Sequence, residues 1–167
     1  QHIIEFTYDL IQKGILTFDK TKNDHRKVTF HDSCNVARGS NMGDIENGQF
    51  ILPREVIKAA CNHFSDMPKA TIKASTFCCG GGGGLLTDDL IELRIKGAMP
   101  RMQALKQSQE NDGVNTLAAI CAICKSQFSK VLPNYDFDPY MIVSVHQLVS
   151  DALVLSDKSQ TKVENSL

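Results

Sequence analysis

The sequence predicts an α/β domain of about four mostly parallel strands flanked by helices, with cysteines on the loops at the carboxyl edge. Three observations carry this. Short apolar runs alternate with segments of helical periodicity. The connections between the runs are too long for hairpins, as crossovers between parallel strands require. A length of 167 residues, 42% hydrophobic and 22% charged, suits one ordinary domain with a real core.

Along the chain, residues 1–13 place Ile3, Ile4, Phe6, Leu10 and Ile11 at mixed helical spacing and predict a helix that Gly14 stops. The charged stretch 19–27 is expected as a solvated loop, because its Asp residues interrupt any basic patch. Val28–His31 is the first strand and 32–35 its exit loop. Residues 39–49 are rich in turn formers. Pro53 is expected to open a helix over 53–61, where its missing N–H does no harm. Residues 63–67 are expected as the second strand. A loop from Pro68 leads to Phe77-Cys78-Cys79 and five consecutive glycines, Gly80 to Gly84.

A long helix follows, with Asp88 and Asp89 early in it, where negative charge suits the dipole. Ile91, Ile95, Ala98, Met102 and Leu105 recur at helical spacing and mark one buried face. Pro100 inside that pattern predicts a kink or a break, and Asn111-Asp112-Gly113 ends the helix. The run 116–120 is a buried strand, 122–132 a helix ended by Pro133, 141–145 the fourth strand and 146–155 the last helix. The chain is polar from Ser156 and is expected to be disordered. The expected divisions are a helix and charged loop over 1–27, the main domain over 28–155, and a tail over 156–167.

A formal net charge of −1, no Trp and three Tyr exclude a nucleic-acid binder, which would show a basic stripe or stacking aromatics. The longest apolar run, 117–124, is far short of the roughly 20 residues a membrane span needs. The chain opens at Gln1 with no recognisable targeting segment, so it is expected to be a piece of a longer polypeptide or to have been trimmed.

Six cysteines need an account. Cys78 and Cys79 are adjacent, and Cys121 and Cys124 form a C-x-x-C, which favours metal or redox chemistry over structural disulfides. On the predicted scheme Cys34, Cys78, Cys79, Cys121 and Cys124 converge on the sheet edge where α/β folds bind ligands. One pair, one vicinal pair and a single Cys make a poor zinc knuckle. Neighbouring thiolates can instead reach two irons of a larger cluster, so iron–sulfur ligation is the better reading, with zinc and thiol redox as alternatives. The glycine run lets backbone approach a bulky group and donate amides to its sulfurs. It lacks the Gly-Lys-Ser/Thr ending of a phosphate loop.

His31-Asp32-Ser33-Cys34, Cys78-Cys79-Gly80 and Cys121-Ala122-Ile123-Cys124 together resemble the Cys-Cys-Gly, or CCG, cysteine-rich domain of heterodisulfide reductases. The resemblance covers roughly 28–155 and is closest to DsrK-type catalytic iron–sulfur subunits. The sequence departs from the basic pattern in spacing: 43 residues lie between Cys34 and Cys78, and 40 between Gly80 and Cys121.

The resemblance implies that Cys34, Cys78, Cys79, Cys121 and Cys124 ligate a non-cubane [4Fe-4S] cluster, with Gly80, Gly81 and Gly82 against it. It implies reduction, or reversible formation, of the disulfide or trisulfide of a DsrC-type sulfur-carrier protein in dissimilatory sulfur metabolism. This chain would then be the C-terminal catalytic half of its subunit. Expected partners are a membrane cytochrome b-type subunit and other subunits of the complex, which would hold it at the inner face of the cytoplasmic membrane. His146 is expected to give a proton or hydrogen bond to a leaving thiolate. His31 and Asp32 are expected to order the loop before Cys34, Arg38 and Lys125 are cations beside ligands, and Cys61 is expected to pack in the core. The competing expectation is an interaction module that a zinc ion or an ordinary cubane cluster merely stabilises.

Overall fold

Three short strands set the geometry of the computed structural model, which describes residues 1–85 and 87–155. β1 (Val28–His31) pairs in parallel with β2 (Thr116–Ala119), and β2 in parallel with β3 (Ile142–Ser144), so the sheet runs in chain order. Val28 stands opposite Thr116, and Leu117 opposite Ile142. Every residue of β1 and β2 is buried, as in a parallel sheet covered on both faces.

The expected second strand over 63–67 is reduced to a single parallel bridge from Phe64 to Val28. The Val28 N–H donates to the His63 carbonyl and the Ser65 N–H to the Val28 carbonyl, each at 3.0 Å. The ladder goes no further because Asp66 turns away to accept from Arg54 Nε at 2.9 Å, and Pro68 has no N–H to offer.

The helices are α1 (Ile3–Gln12), α2 (Cys34–Gly39), α3 (Gly48–Ala60), α4 (Ile91–Asp112), α5 (Ala122–Val131) and α6 (Val145–Ala152). α1 begins with a capping box, in which His2 accepts from the Ile4 N–H at 3.1 Å and Glu5 accepts from the His2 N–H. α2 starts at Cys34, where a loop was expected. α3 starts at Gly48, five residues before Pro53, because Phe50 and Leu52 bury and draw the start back. Gly48 lies so close to Met42 that a Cβ there would sit 1.9 Å from its carbonyl oxygen. α4 runs unbroken through Pro100 to Gly113, whose φ of +68° ends it as expected.

Side chains alternate across the sheet and build two cores. Val28, Phe30 and Ala118 pack with Ile4 of α1, Val56 and Ile57 of α3 and Leu148 of α6. Leu117 and Ala119 face Ala98, Met102 and Leu105 of α4 and Phe128 of α5. Thr29 and His31 alternate with the residues of the first core along β1. The 19–27 segment is less solvated than expected. Asn23 is fully buried, and its amide donates to the carbonyls of Ala60 at 3.0 Å and Leu148 at 2.9 Å, tying α3 to α6. The tail expected over 156–167 lies outside the described residues.

Candidate metal centre

Three separated segments deliver the five cysteines. β1 ends at His31, and Cys34 opens α2 three residues later. β2 ends at Ala119; Cys121 is the N-cap of α5 and Cys124 lies in its first turn. Spacing of three at a helix start brings both thiols to the same end of α5. Cys78 and Cys79 come from the irregular segment before α4. All five line one cleft with Ser33, Asn35, Ile123 and Gly81 to Gly83. Cys79 and Cys124 are buried, the other three half-buried.

The segment before Cys78 is tied to the end of β1. Arg54 donates to both oxygens of Asp32, Nη1 to Oδ1 and Nη2 to Oδ2, each at 2.8 Å. Asp32 Oδ2 also accepts from the Lys73 N–H at 2.8 Å, and its carbonyl accepts from Thr76 Oγ1 at 2.7 Å. Arg38 donates to the Thr76 carbonyl at 2.9 Å, and buried Arg101 to Thr76 Oγ1 at 2.9 Å. Asp32 therefore orders the approach to Cys34 and the approach to Cys78 at once. Arg38 serves the loop as a carbonyl clamp.

The glycines wrap the sulfurs. Gly80 has φ +91°, and a Cβ there would lie 2.3 Å from the Arg94 carbonyl oxygen, so only glycine lets the chain turn against α4. The Gly80 N–H donates to Cys78 Sγ at 3.4 Å. Gly81 passes so near Cys79 that a Cβ would stand 3.3 Å from its Sγ. Gly81 and Gly82 line the cleft, whereas Gly80 serves as the hinge behind it.

The thiols are crowded. Contact with Cys124, with burial adding to it, pushes the Cys79 thiol up to about 12, against the pull of the Cys78 thiol and the Gly81 amide. The Cys78 thiol is pushed up further, first by the neighbouring Cys79 and then by burial, while the Gly82 and Gly80 amides pull it down. Thiols stacked in this way ionise together only when a metal supplies the positive charge.

Behind the cysteines lie buried polar groups: His31, expected to order the loop with Asp32, and Arg94, Arg101 and Gln127, which the sequence pattern did not single out. His31 is fully buried, neither ring nitrogen has a partner, and its nearest nitrogen, Cys79 Sγ and Cys124 Sγ all lie within 4.8 Å of one another. Burial, with the Arg101 charge adding to it, holds the imidazole well below its usual range and therefore neutral. Arg94 gives Nε and Nη2 to the Gln127 side-chain oxygen at 2.8 and 2.6 Å, and Gln127 Nε2 remains unpartnered. Arg94 and Arg101 are both buried, and no carboxylate pairs with either among the described residues. The available signal was the spacing of Arg94, Arg101 and Ser108, which share one helix face with Ala98 and Leu105.

His146 lies elsewhere. Its Nε2 is 3.1 Å from Thr7 Oγ1 of α1, and it is not among the residues lining the cysteine cleft. Cys61 caps α3 inside the first core, its thiol pushed up to about 11 by burial. Lys125 is half-buried on α5.

Five thiols on facing walls, amides turned onto sulfur, and buried N–H groups and cations without an anionic partner fit a thiolate-bound iron–sulfur cluster. They fit one small tetrahedral ion less well, since that takes four ligands.

Comparisons with known proteins agree. No solved structure matches the chain significantly. The chain is 44% identical over 155 residues to the Hdr-like menaquinol oxidoreductase iron–sulfur subunit 2 of Archaeoglobus fulgidus. It is 43% identical over 155 residues to the Hdr-like menaquinol oxidoreductase iron–sulfur subunit of Archaeoglobus profundus. Each match takes in 93% of this chain but only 26% of the relative, so the chain spans about a quarter of the curated relatives it matches. The model of the CCG cysteine-rich domain matches residues 28–129, a span that contains all five cleft cysteines, and the chain belongs to that family.

Proposed function

We propose that this chain is the cluster-bearing segment of a heterodisulfide-reductase-like oxidoreductase subunit. Cys34, Cys78, Cys79, Cys121 and Cys124 hold a non-cubane [4Fe-4S] cluster, and the reaction is reductive cleavage, or reversible formation, of a sulfur–sulfur bond. The single observation that carries this is the convergence of five thiols from three separated segments on one cleft.

The cluster supplies electrons one at a time and an iron on which sulfur can bind. The chain's own residues do the rest. The glycine turn brings amides to the sulfurs, the Asp32–Arg54 pair fixes two of the three segments, and the half-buried Cys34, Cys78 and Cys121 mark the side from which a substrate enters. One disulfide takes up two electrons and two protons and leaves as two thiols.

The family resemblance supports a DsrC-type sulfur carrier as the disulfide or trisulfide substrate. The relatives' names support a quinol as the ultimate donor, giving two electrons and two protons as it becomes quinone. No helix among the described residues is long and apolar enough to cross a membrane. The family resemblance supports a membrane subunit of the cytochrome b type as the site of contact with the quinol, with this chain held at the inner face of the cytoplasmic membrane.

Anaerobic reconstitution with iron and sulfide tests the reading. It predicts about four irons per chain and a paramagnetic signal that a thiol substrate perturbs. One zinc and no iron overturns it and leaves a metal-stabilised interaction module. Cys79→Ser is expected to lose the cluster and Cys61→Ser to keep it; equal effects would overturn the ligand set.

A further inference from the structure

His31 is the one fully buried imidazole beside the cysteines, and its surroundings are unusual for a residue that merely packs. It ends β1 with no solvent exposure. Both nitrogens lack a hydrogen-bond partner among the described residues. One flank is fixed, because its ring meets Phe128 edge to face at 4.8 Å between centroids. One of its nitrogens lies within 4.8 Å of the sulfurs of both Cys79 and Cys124.

A buried N–H without an acceptor loses its bonds to water and regains nothing. Nothing in the fold demands that loss, since a leucine would satisfy an all-buried strand against Phe128 at no polar cost. What makes a donor useful here is an acceptor that is weak as a thiol and strong as a metal-bound thiolate. The imidazole carries an N–H to offer whichever ring nitrogen holds the proton.

We propose that His31 donates an N–H···S hydrogen bond to the cysteine sulfur of Cys79 or Cys124 when that sulfur is a cluster ligand, and so holds the cluster's reduction potential up. This rests on the cluster reading above. His31 is a positioning residue, since it acts on the iron only through a ligand sulfur. A donor to a ligand sulfur stabilises the more negative, reduced form more than the oxidised one. Phe128 sets the ring plane, and the β1–β2 register sets its depth.

The test uses the whole reconstituted chain with histidine labelled by nitrogen-15, followed by pulsed electron paramagnetic resonance and a spectroelectrochemical titration. The expected result is a weak histidine nitrogen coupling in the wild type that is absent from His31→Leu. The midpoint of His31→Leu is expected to be more negative, and His31→Asn, which keeps an N–H, to fall between the two. A strong coupling overturns the proposal in favour of direct ligation. No histidine coupling in a paramagnetic wild type, or a midpoint unchanged in His31→Leu, overturns it in favour of packing alone. If His31→Leu does not take up iron, the labelled wild type still decides. A wild type with no iron signal refutes the cluster reading instead, so the two failures are distinct.

Discussion

Arg54 and Asp32 meet through two parallel N–H···O contacts of 2.8 Å, with side-chain exposures of 7% and 1%. Asp66 completes the same guanidinium from the other side, at 2.8 Å. The pair links the middle of α3 to the residue just before Ser33 and Cys34. Because Asp32 also accepts from Lys73 and Thr76, it governs the segment leading to Cys78 as well.

Removing one partner of a buried ion pair strands the other, at a cost of about 3–5 kcal/mol. Arg54→Met is expected to lower the unfolding free energy by an amount in that range, and Asp32→Asn by less, because Asp66 still pairs with the guanidinium. Arg54→Lys is not expected to restore it, because one ammonium cannot fork onto two carboxylates. Urea titration followed by circular dichroism measures this, and a loss under about 1 kcal/mol would refute the strut role.

The glycine run separates backbone strain from steric exclusion. Gly83 has φ +72° and open space where a side chain would begin, with nothing within 4 Å, so Gly83→Ala is expected to cost the left-handed penalty of about 1–2 kcal/mol. Gly80→Ala adds a collision with the Arg94 carbonyl oxygen and must displace the turn from α4. It is expected to cost more stability and most of the bound iron, while Gly83→Ala keeps its iron. Iron assay and thermal melts on both variants check the order.

Arg101 is a buried cation whose partners are Thr71, Thr76 and the Met67 sulfur, none of them anionic. An anionic cluster would balance its charge, and cluster removal would leave it uncompensated. Arg101→Met is therefore expected to destabilise the loaded protein while narrowing the stability gap between loaded and chelator-stripped protein. The four melting points of that cycle test it; an unchanged gap shows that charge balance is not its role.

His146 carries a pH prediction. Burial holds its pKa below the usual value, with His2 adding to this and the Ile3 backbone opposing. The unfolded chain then takes up a proton near 6.5 while the folded chain resists. The contribution of a neutral His146 to stability is thus complete above that pH and declines as pH falls toward the lowered folded value. Melting points at pH 7.5 and 5 are expected to differ less in His146→Gln than in the wild type. A variant that keeps the wild-type cluster potential and turnover would confine His146 to the contact with Thr7.

The sequence made the element order legible because strands buried on both faces and a long periodic helix leave strong signals. Val28–His31 emerged with its own bounds, and Cys34 and Cys121 lie just past strand ends as expected, whereas Cys78 and Cys79 reach the same cleft from an irregular segment. The misses share a cause. The 63–67 strand failed because Asp66 is claimed by Arg54, a pairing across space that no local pattern carries. The start of α3 was masked by Pro53, whose usual place in a first turn outweighed Phe50 and Leu52. The burial of His31, Arg94 and Arg101 was not legible, because a buried polar group is defined by what surrounds it. His146 follows a strand as expected but meets α1, and the length and direction of that helix decide its partner.

The strand order has a consequence for assembly. Cys34 is fixed by β1 and Cys121 by β2, and these strands pair only after the whole of α4 has been made and folded back. A growing chain that has emerged as far as the glycines carries three of the five cleft thiols and no second strand to close the pocket around them. Loading of this site therefore waits on the non-local pairing that is the slow part of such topologies. A filled cleft certifies that β1 and β2 have found each other.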